Sequence, residues 1–494
     1  MMPRHLRELS RREFLAVAGA AAALPLVDRV APLAHAPKVL RQGGQTPAVS
    51  DPTRSIQVSD PTKQIRIRSV GLDFEREPLI RPTGFKGGYL TELWQPVARL
   101  DSDSGRSHIG IGTQSVLWCD PAVLAKHSES AGNALMLSVT DRALQMVVGE
   151  TFTTPVELID RIFPELYQFA CKVTGLPNLR RTFALNALVP VDNAAWLLYA
   201  EENGIRTFDE MIPAEYRSGL SYRQRAVAAL PSVTYGLPVE DVVRATQDGY
   251  FLIKVKLGSP AANQAEMIEK DIARFTAIHT ALANARTTQT PDGKIRYDLD
   301  PNQRYEKKET LLKLIDAAKK IGALEQVAFM EEPFADENDA DLHDVPVTIV
   351  ADESVTQVGD ATRRRQQGYA GFVLKGIAKT LSETLKIAKL AHEQRLVCMA
   401  ADLTVNPVLV DWNKNVAARV PPFPGVNFGM LETNGHQQYR RWSEMVSWHP
   451  CADAPWRKVE QGVFVLGDDF YARSGCIFEE PSHYRALVSP TRGS

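Results

Sequence analysis

The sequence predicts an α/β protein whose core is a parallel (β/α) barrel of the TIM type. Short apolar runs recur between residues 251 and 376 at intervals that fit a strand, a helix and a short loop. This order is βαβ, and it predicts a parallel sheet. Each run also carries a charged residue at or near its end, and charged side chains at the carboxyl ends of successive parallel strands are typical of a barrel active site.

The first of these runs, FLIKVKLG at 251–258, carries two lysines inside an apolar strand. Because side chains alternate along a strand, Lys254 and Lys256 share one face. Taken alone, the Lys-x-Lys pair favours an edge strand with a solvated lysine face. Burial of both lysines is costly unless they meet carboxylates or an anionic ligand. The acids that follow supply such partners, so the pair is predicted to face an active site.

Three further runs each offer one acid, and a fourth ends in a lysine. The acids are Asp300, Glu331 and Asp352, and the lysine is Lys375. Three carboxylates without His or Cys form an all-oxygen site, which suits Mg²⁺ better than Zn²⁺. The sequence therefore predicts a Mg²⁺ site, with Mn²⁺ as the alternative ion.

In this order the motifs resemble those of the enolase superfamily, within its muconate-lactonising and dipeptide-epimerase branch. That branch carries Lys-x-Lys on the second barrel strand, Asp-x-Asn-Gln on the third, Glu-(Gln or Glu)-Pro on the fourth, Ala-Asp-Glu-Ser on the fifth and Lys on the sixth. The matching residues are Lys254-Val255-Lys256, Asp300-Pro301-Asn302-Gln303, Glu331-Glu332-Pro333, Ala351-Asp352-Glu353-Ser354 and Lys375. The resemblance implies a (β/α)7β barrel with an α+β capping domain formed by the N-terminal region and the C-terminal tail.

The resemblance also implies a chemistry, the Mg²⁺-dependent abstraction of a proton α to a substrate carboxylate through an enediolate. Lys256 would be the base and Lys254 its electrostatic neighbour, and the two like charges should lower each other's affinity for a proton. Lys375 would act on the opposite face as an acid–base group or as a fixed cation. The remaining assignments are Asp300, Glu331 and Asp352 as metal ligands, Asn302 and Glu353 as orienting groups, and Asp402, Glu432 and Phe85 as substrate contacts.

Several positions depart from the pattern of the branch. Strand eight reads Leu431-Glu432-Thr433-Asn434 where dipeptide epimerases carry an Asp-x-Asp that holds the substrate's ammonium group. The Gly-Gly after the sixth-strand lysine is replaced by residues 377–380, IAKT, and the seventh-strand His of mandelate racemase is absent. Asp402 stands where relatives carry Glu. Asp298 is also predicted to face inward, either modulating the metal and lysines or lying hydrogen-bonded in the packing.

The resemblance favours an isomerase, a racemase or epimerase acting on an amino-acid or dipeptide-like substrate. A cycloisomerase or a dehydrating lyase, similar to muconate-lactonising enzyme or o-succinylbenzoate synthase, shares the same half-reaction and stays open. A metal-binding recognition protein without catalysis is the alternative of another class. Both lysine positions accompany all three acids, which favours an enzyme. The predicted partner is a small-molecule carboxylate, and a homo-oligomer is compatible with the sequence.

The N-terminal segment predicts export. Ser10-Arg11-Arg12-Glu13-Phe14-Leu15 is a twin-arginine motif, followed by an Ala-rich apolar stretch at 16–27 and the small-x-small site Ala34-His35-Ala36. The alternative is an amphipathic helix with two chance arginines. Residues 1–36 are therefore predicted to be a signal peptide for the twin-arginine translocation machinery, which would make the protein periplasmic or extracellular. The apolar stretch is too short for stable membrane insertion.

The rest of the chain divides by composition and by the resemblance. The predicted units are a disordered linker at 37–61, the capping domain at 62–230, the barrel at 231–440 and a C-terminal segment at 441–494 that returns to the capping domain. Within the capping domain we expect a three-stranded meander at 65–75, 92–102 and 108–116, and a helix at 191–205 that ends at Gly204. The loop 81–88 is either a mobile loop over the barrel mouth or an ordinary hairpin loop.

Composition excludes other classes of function. The chain has 494 residues, 44% of them hydrophobic, and a formal net charge of −2, so no basic excess points to nucleic acid. Its five cysteines are odd in number and lack a Cys-x-x-Cys motif. They argue against a disulfide framework and against structural zinc, and leave room for one disulfide.

Overall fold

The protein is described here by a computed structural model that covers residues 63–489, so the predicted signal peptide and linker lie outside the described residues. The described chain opens with an antiparallel sheet. Its strands are β1 (Ile65–Phe85), β2 (Gly88–Ser102), β3 (Ser107–Ile111) and β4 (Thr151–Phe152), in the spatial order β3-β2-β1-β4. Gly105 takes a φ of 88° in the turn between β2 and β3, so the predicted meander and its turn are present.

β1 and β2 form a longer hairpin than the sequence predicts. Their paired residues continue to Phe85 opposite Gly88, with an interruption of register partway along. The segment 81–88 is therefore the tip of a paired hairpin, in which Lys86 and Gly87 make the turn with positive φ. The irregular register breaks the alternation of apolar and polar side chains, which is why the sequence does not show the strands continuing.

A group of helices follows this sheet. They are α1 (Val116–Cys119), α2 (Pro121–His127), α3 (Glu129–Val147), α4 (Pro155–Thr174), α5 (Arg181–Asn203) and α6 (Phe208–Met211), with a 3₁₀ turn at Ala214–Leu220. α5 ends at Gly204, whose φ is 69°, as predicted, but it begins at Arg181 rather than Val191. It lies so close to β3 that a Cβ on Gly110 would be 2.0 Å from the carbonyl oxygen of Pro190.

The second sheet is the barrel. Its strands are β5 (Ala226–Leu230), β6 (Ser232–Val233), β7 (Leu252–Lys256), β8 (Arg296–Asp300), β9 (Val327–Glu331), β10 (Ile349–Ala351), β11 (Gly371–Leu374), β12 (Val397–Ala400) and β13 (Gly429–Glu432). Neighbours from β6 to β13 are parallel, and β13 pairs in parallel with β5. β5 and β6 are the two halves of one segment around Pro231. The row of parallel strands that begins at β6 therefore ends at β5, in the same segment.

Pro231 interrupts the segment that opens the barrel. Residues 226–230 before it pair with β13, and residues 232–233 after it pair with β7. Proline has no N–H to donate, so it interrupts the strand without ending it. Its carbonyl oxygen still accepts a hydrogen bond from the Lys254 amide at 3.1 Å.

Helices alternate with the barrel strands, as the predicted βα order requires. They are α7 (Val239–Gln247), α8 (Gln264–Ala281), α9 (Lys308–Lys320), α10 (Val358–Gln366), α11 (Gly376–Lys379), α12 (Leu381–Glu393), α13 (Pro407–Ala417) and α14 (Gly435–Gln438), with a 3₁₀ turn at Leu324–Gln326. The described residues fall in one compact unit, so the domain boundaries near 230 and 440 stay predictions.

The C-terminal segment contacts both sheets. Its elements are α15 (Trp442–Ser447), β14 (Val459–Glu460), β15 (Val463–Val465), α16 (Asp468–Arg473) and α17 (Ser482–Leu487), with 3₁₀ turns at Pro455–Arg457 and Ser474–Cys476. β15 pairs antiparallel with β5 of the barrel. Toward the first sheet, His483 lies 2.9 Å from Glu75, and Arg485 donates to the Ser107 hydroxyl at 3.0 Å.

Two of the five cysteines form a disulfide, Cys451–Cys476, with their Cα atoms 6.2 Å apart. Cys119, Cys171 and Cys398 are outside any disulfide. The single disulfide that the sequence left open is thus present, and it joins two parts of the C-terminal segment. Within residues 63–489 no helix is long and apolar enough to cross a membrane.

Candidate active site

The parallel strands bring the predicted lysines and acids together at one end of the barrel. Lys256 on β7 is in register with Asp300 on β8, and Lys254 with Asp298. Glu331 ends β9, Asp352 directly follows β10, and Lys375 directly follows β11. All of these side chains are buried. The carboxyl ends of the strands thus form a dense cluster of charged groups, at the place where (β/α) barrels carry their active sites.

Lys254 is surrounded by carboxylates. Its Nζ lies 2.7 Å from Glu331 Oε2, 3.1 Å from both Asp300 Oδ2 and Glu432 Oε2, and 3.6 Å from Asp298 Oδ2. Burial lowers the pKa of Lys254, but these four carboxylates outweigh burial and raise it well above its usual value. Acids therefore dominate the surroundings of Lys254.

Lys256 and Lys375 each pair with one acid and one aromatic ring. Lys256 Nζ lies 2.5 Å from Asp300 Oδ2 and 5.9 Å from the centre of the Phe85 ring. Lys375 Nζ lies 2.5 Å from Asp352 Oδ2 and 4.5 Å from the centre of the Trp118 ring. Burial lowers the pKa of Lys375, and Asp352 more than reverses this effect. The two lysines thus have matching surroundings on different strands.

A fourth buried lysine, to which the sequence assigned no role, holds Asp352 from the other side. Lys379 Nζ lies 3.1 Å from Asp352 Oδ1 and donates to the carbonyl oxygens of Asp352 at 2.7 Å and Val355 at 3.2 Å. Burial raises the pKa of the Asp352 carboxyl, but Lys375 and Lys379 together hold it well below its usual range. Lys379 lies in the IAKT segment that departs from the family pattern, and this departure was the available signal.

The groups predicted to orient the site lie beneath the cluster. Asn302 donates from Nδ2 to Glu353 Oε1 at 3.2 Å, and its backbone amide donates to Asp300 Oδ1 at 2.9 Å. Asn302 thus connects the ends of two strands. Glu353 also meets Lys86, whose Nζ lies 3.3 Å from Glu353 Oε1 and donates to the Trp118 carbonyl oxygen at 3.0 Å. The sequence drew attention to Phe85 in this hairpin and missed Lys86 beside it.

Glu331 and Glu332 have different surroundings, although they are adjacent. Glu332 Oε2 accepts hydrogen bonds from the amides of Asp352 at 2.5 Å and Ser354 at 3.0 Å, and from the Ser354 hydroxyl at 2.9 Å. It therefore fixes the backbone at the end of β10. Glu331 instead faces Lys254 with Oε2, and its Oε1 has no hydrogen-bond donor among the described residues. The structure thus has Glu331, not Glu332, in the cluster.

Asp298 also belongs to this cluster. Neither of its carboxylate oxygens has a hydrogen-bond donor in the described part of the chain, and the nearest cation is Lys254 at 3.6 Å. Burial raises its pKa to about 7. The interpretation of Asp298 as hydrogen-bonded packing is therefore wrong, and its effect on the site is electrostatic.

A cavity adjoins these groups. Lys256 and Lys375 both line it, together with the three predicted substrate contacts Phe85, Asp402 and Glu432. The β1–β2 hairpin supplies an apolar side to the cavity, formed by Leu79, Phe85, Leu90 and Leu93. A small ligand in this cavity would therefore meet charge on one side and hydrocarbon on the other.

Asp402 is the acid in this cavity that lacks a lysine partner within ion-pair distance. Its carboxylate accepts from the amides of Thr404 at 2.5 Å and Asn434 at 3.1 Å. Burial, and then the nearby Glu432, raise its pKa to about 7. Glu432, by contrast, is paired with Lys254. Of the two acids predicted to contact substrate, Asp402 is thus the one whose carboxyl group is not paired with a lysine.

The charges of the cluster bear on whether it suits a metal ion. Its lysines are Lys254, Lys256, Lys375 and Lys379, and its carboxylates are Asp298, Asp300, Glu331, Asp352, Asp402 and Glu432. The carboxylates exceed the lysines by two, and buried charge must be compensated by bound protons or by a cation. In charge and in donor type the cluster therefore fits a divalent ion such as Mg²⁺.

The distances between the acids also bear on whether they could bind a metal ion. In the described residues, one group of three His, Cys, Asp or Glu side chains has all of its ligand atoms within 4.8 Å of one another. That group is Cys451, Cys476 and Glu479. Two of them are joined as a disulfide, so they offer no thiolate. Asp300, Glu331 and Asp352 do not meet that distance, and Lys254 Nζ lies within ion-pair distance of the first two. Their assignment as metal ligands stays a prediction, supported by the unpartnered Glu331 Oε1.

The region that carries this cluster matches a known family. Residues 239–441 match the family model described as Enolase C-terminal domain-like. No curated protein matches the sequence.

Solved structures similar to this chain include three enzymes. The dipeptide epimerase from Enterococcus faecalis V583, complexed with Mg and the dipeptide L-Leu-L-Tyr, is 18% identical, with 74% of this chain and 90% of that chain covered and a TM-score of 0.52. The L-Ala-D/L-Glu epimerase from Bacillus subtilis is 17% identical, with 76% and 91% covered and a TM-score of 0.54. The L-talarate/galactarate dehydratase from Salmonella typhimurium LT2, liganded with Mg and L-lyxarohydroxamate, is 18% identical, with 90% and 97% covered and a TM-score of 0.56. At these identities the similarity shows the fold alone.

Proposed function

We propose that this chain is a member of the enolase superfamily, on the support of the family match over residues 239–441, and that it is an enzyme that removes and returns a proton α to a substrate carboxylate. The observation that carries the proposal is the placement of Lys256 and Lys375 on one cavity. Lys256 comes from β7 and Lys375 from the end of β11, so three strands separate them in the sheet. A substrate between them would present a different face to each lysine, as racemisation or epimerisation requires.

The acids would bind the metal ion. Asp300, Glu331 and Asp352 would hold Mg²⁺, with Mn²⁺ as the alternative ion, and a bound divalent cation stabilises negative charge on a carboxylate that loses its α-proton. Lys375 fixes one oxygen of Asp352, and the Asn302 amide fixes one oxygen of Asp300. These contacts hold the acids in place before a substrate arrives, which favours rapid reaction.

The cavity suggests the class of substrate. Its hydrocarbon side on the β1–β2 hairpin suits an apolar side chain, and Asp402 suits an amine or amide N–H. These features support an amino-acid or dipeptide-like carboxylate.

Glu432 favours the second candidate, a cycloisomerase or a dehydrating lyase. Its carboxylate is paired with Lys254 at 3.1 Å, so strand eight does not offer the two free acids that hold an ammonium group in dipeptide epimerases. A substrate without an ammonium group would not need them. In that reaction one of Lys256 and Lys375 would transfer the proton, and the other would act as a fixed charge.

The experiment that tests the proposal is exchange of α-protons with solvent deuterium, followed by proton NMR with a panel of L- and D-amino acids, dipeptides and hydroxy acids. For a racemase or epimerase, Lys256→Ala should abolish exchange of one antipode and Lys375→Ala exchange of the other. For the second candidate only one variant should lose exchange. Lys320→Ala, on an exposed side chain of α9, is the matched control. Exchange that persists in Lys256→Ala/Lys375→Ala would refute the mechanism, and binding without exchange would favour the recognition protein.

We also propose that the protein is exported by the twin-arginine route, with Arg11 and Arg12 as the support. This route carries folded proteins, which suits an enzyme that assembles a metal site before export. One disulfide in the described residues is compatible with an oxidising compartment.

A further inference from the structure

A second cleft lies between α13 and the C-terminal hairpin β14–β15. One side of it is aromatic. Tyr250 and His436 stack with their ring centres 6.4 Å apart, and Trp442 meets His436 edge-on at 6.3 Å. Phe464 completes this side. Burial lowers the pKa of His436 to about 4, so its ring is neutral near pH 7 and adds no charge. This side of the cleft therefore suits a flat, apolar group.

The cleft also contains buried cations, one of them against the aromatic side: Lys414 Nζ lies 4.1 Å from the centre of the Phe464 ring. Lys414 is fully buried, and its Nζ lies 2.5 Å from Asp411 Oδ1. Arg457 has a side chain only 9% exposed, and its nearest carboxylate is the same Asp411, with Nε 3.9 Å from Oδ2. Asp411 also lies 3.1 Å from His449. Asp411 is thus the carboxylate within ion-pair distance of both buried cations, and Asp453 acts on Arg457 from farther away. With Lys458 also lining the cleft, the cations outnumber these acids, which leaves positive charge uncompensated.

Arg457 has hydrogen-bonding capacity that the described residues do not use. A guanidinium has five N–H groups, and the side-chain hydrogen bond that Arg457 makes within residues 63–489 runs from Nη1 to the Ala452 carbonyl oxygen at 3.0 Å. Lys458 adds an exposed cation at the rim and forms no ion pair in the same part of the chain. A nearly buried arginine with unused donors, beside surplus positive charge, indicates an anionic ligand.

We propose that this cleft is a second ligand site, which binds a small carboxylate that carries an aromatic or apolar ring. The carboxylate pairs with the Arg457 guanidinium, whose planar fork matches the two oxygens. The ring lies against Tyr250, His436 and Trp442. The ligand supplies the negative charge that Asp411 alone cannot provide.

The site is separate from the candidate active site, although one short segment contributes to both. Glu432 and Asn434 line the cavity that holds Lys256, whereas Thr433 and His436 line the second cleft. Side chains alternate along the extended part of this segment, which explains why Thr433 faces away from Glu432, and His436 lies beyond it in helix α14. The proposal does not depend on the proposed enzymatic function.

The test uses benzoate as the probe and its neutral analogue benzamide as the ligand control, with binding followed by titration calorimetry on the whole chain. We expect benzoate to bind and benzamide to bind at least about tenfold more weakly, because the charge-assisted pair with arginine is lost. Arg457→Gln should weaken benzoate binding at least about tenfold. Arg473→Gln is the matched control, since Arg473 is exposed and pairs with Glu479 away from the cleft.

A further variant separates the two sites, because benzoate is itself a carboxylate. Lys375→Ala alters the candidate active site and should leave benzoate binding unchanged. The proposal requires loss of binding in Arg457→Gln together with retention in both Arg473→Gln and Lys375→Ala, and any other combination overturns it. If Arg457→Gln does not fold, Lys458→Glu replaces it. Lys458 is exposed, so this variant should fold, and it should weaken benzoate binding severalfold; unchanged binding would overturn the proposal.

Discussion

Lys86 and Glu353 are 267 residues apart in sequence, yet their side chains form an ion pair of 3.3 Å that is buried on both sides. Lys86 is at the tip of the β1–β2 hairpin, and Glu353 follows the Asp352 of the charged cluster. The pair therefore joins the hairpin that forms one side of the cavity to the strand ends that hold the acids. A displacement of the hairpin would leave both charges without a partner inside the protein.

The first prediction concerns this pair. Lys86→Met should lower the free energy of unfolding by about 3 kcal/mol, because it leaves Glu353 buried without its cation. The measurement is urea unfolding followed by circular dichroism. Lys270→Met is the control, since Lys270 is exposed and pairs with Glu266 within one helix, and it should cost less than about 0.5 kcal/mol. Equal losses in the two variants would show that the Lys86–Glu353 pair does not hold the hairpin in place.

The second prediction concerns Lys379. Its ammonium lies 3.1 Å from Asp352 Oδ1, where it competes with any cation for that oxygen. Lys379→Met should therefore raise the affinity for Mn²⁺ about tenfold, since removing a buried positive charge at that distance is worth at least 1.4 kcal/mol. Electron paramagnetic resonance of free Mn²⁺ measures this without any assay of activity.

The control for this experiment is Lys386→Met, on a lysine that pairs with Asp160 and Glu383 in a different cleft. Its affinity for Mn²⁺ should equal that of the parent. A fall in affinity in Lys379→Met would mean that Lys379 positions Asp352 for the metal instead of competing with it.

The third prediction is a dependence of stability on pH that arises from Asp411. Burial raises the pKa of this carboxyl, but Lys414 and His449 more than reverse that effect and hold it at about 2, below its usual value near 3.8. A carboxyl with a depressed pKa in the folded state stabilises the protein above its unfolded pKa and loses that contribution as the pH falls. The contribution is about 2 kcal/mol above pH 4 and declines between pH 4 and pH 2.

Asp411→Asn tests this prediction. The variant should be less stable than the parent at pH 6, and the difference should narrow at pH 3, as measured by urea unfolding at both values. Asp316→Asn, on an exposed residue of α9, should match the parent at both. A difference for Asp411→Asn that stays the same from pH 6 to pH 3 would contradict the assignment.

The fourth prediction concerns export. Replacement of Arg11 and Arg12 by lysine should leave the precursor folded and uncleaved in the cytoplasm, because the translocation machinery reads the arginine pair. Cell fractionation followed by N-terminal sequencing is the measurement. A mature chain that begins near Pro37 and still reaches the outside of the cytoplasm would disprove the twin-arginine interpretation.

The sequence predicts those parts of the site that lie on the barrel strands themselves. Lys254, Lys256, Asp300, Glu331 and Asp352 are all brought together, because the βα repeat specifies that the carboxyl ends of the strands meet. The barrel itself follows from the same repeat. The sequence shows which side chains meet in this region because their positions depend only on local periodicity.

The partners of these residues could not be predicted in the same way. Lys86 reaches Glu353 from a hairpin whose length is concealed by an irregular register, and Trp118 reaches Lys375 from a helix of four residues. Neither contact follows from local pattern, since both depend on how the first sheet and its helices pack on the barrel. The raised pKa of Lys254 arises instead within the barrel, from Glu331 first and then from Glu432, Asp300 and Asp298.

β15 has a consequence for shortened forms of the protein. It covers the backbone of Ala226–Ala228 on the side of β5 that β13 does not reach. A chain truncated after Lys458 would retain every lysine and acid of the candidate active site but would expose a row of unpaired N–H and C=O groups. Such an edge is a template for pairing with another chain. The truncated protein should therefore fail by self-association, which would appear as concentration-dependent light scattering before any change at the active site.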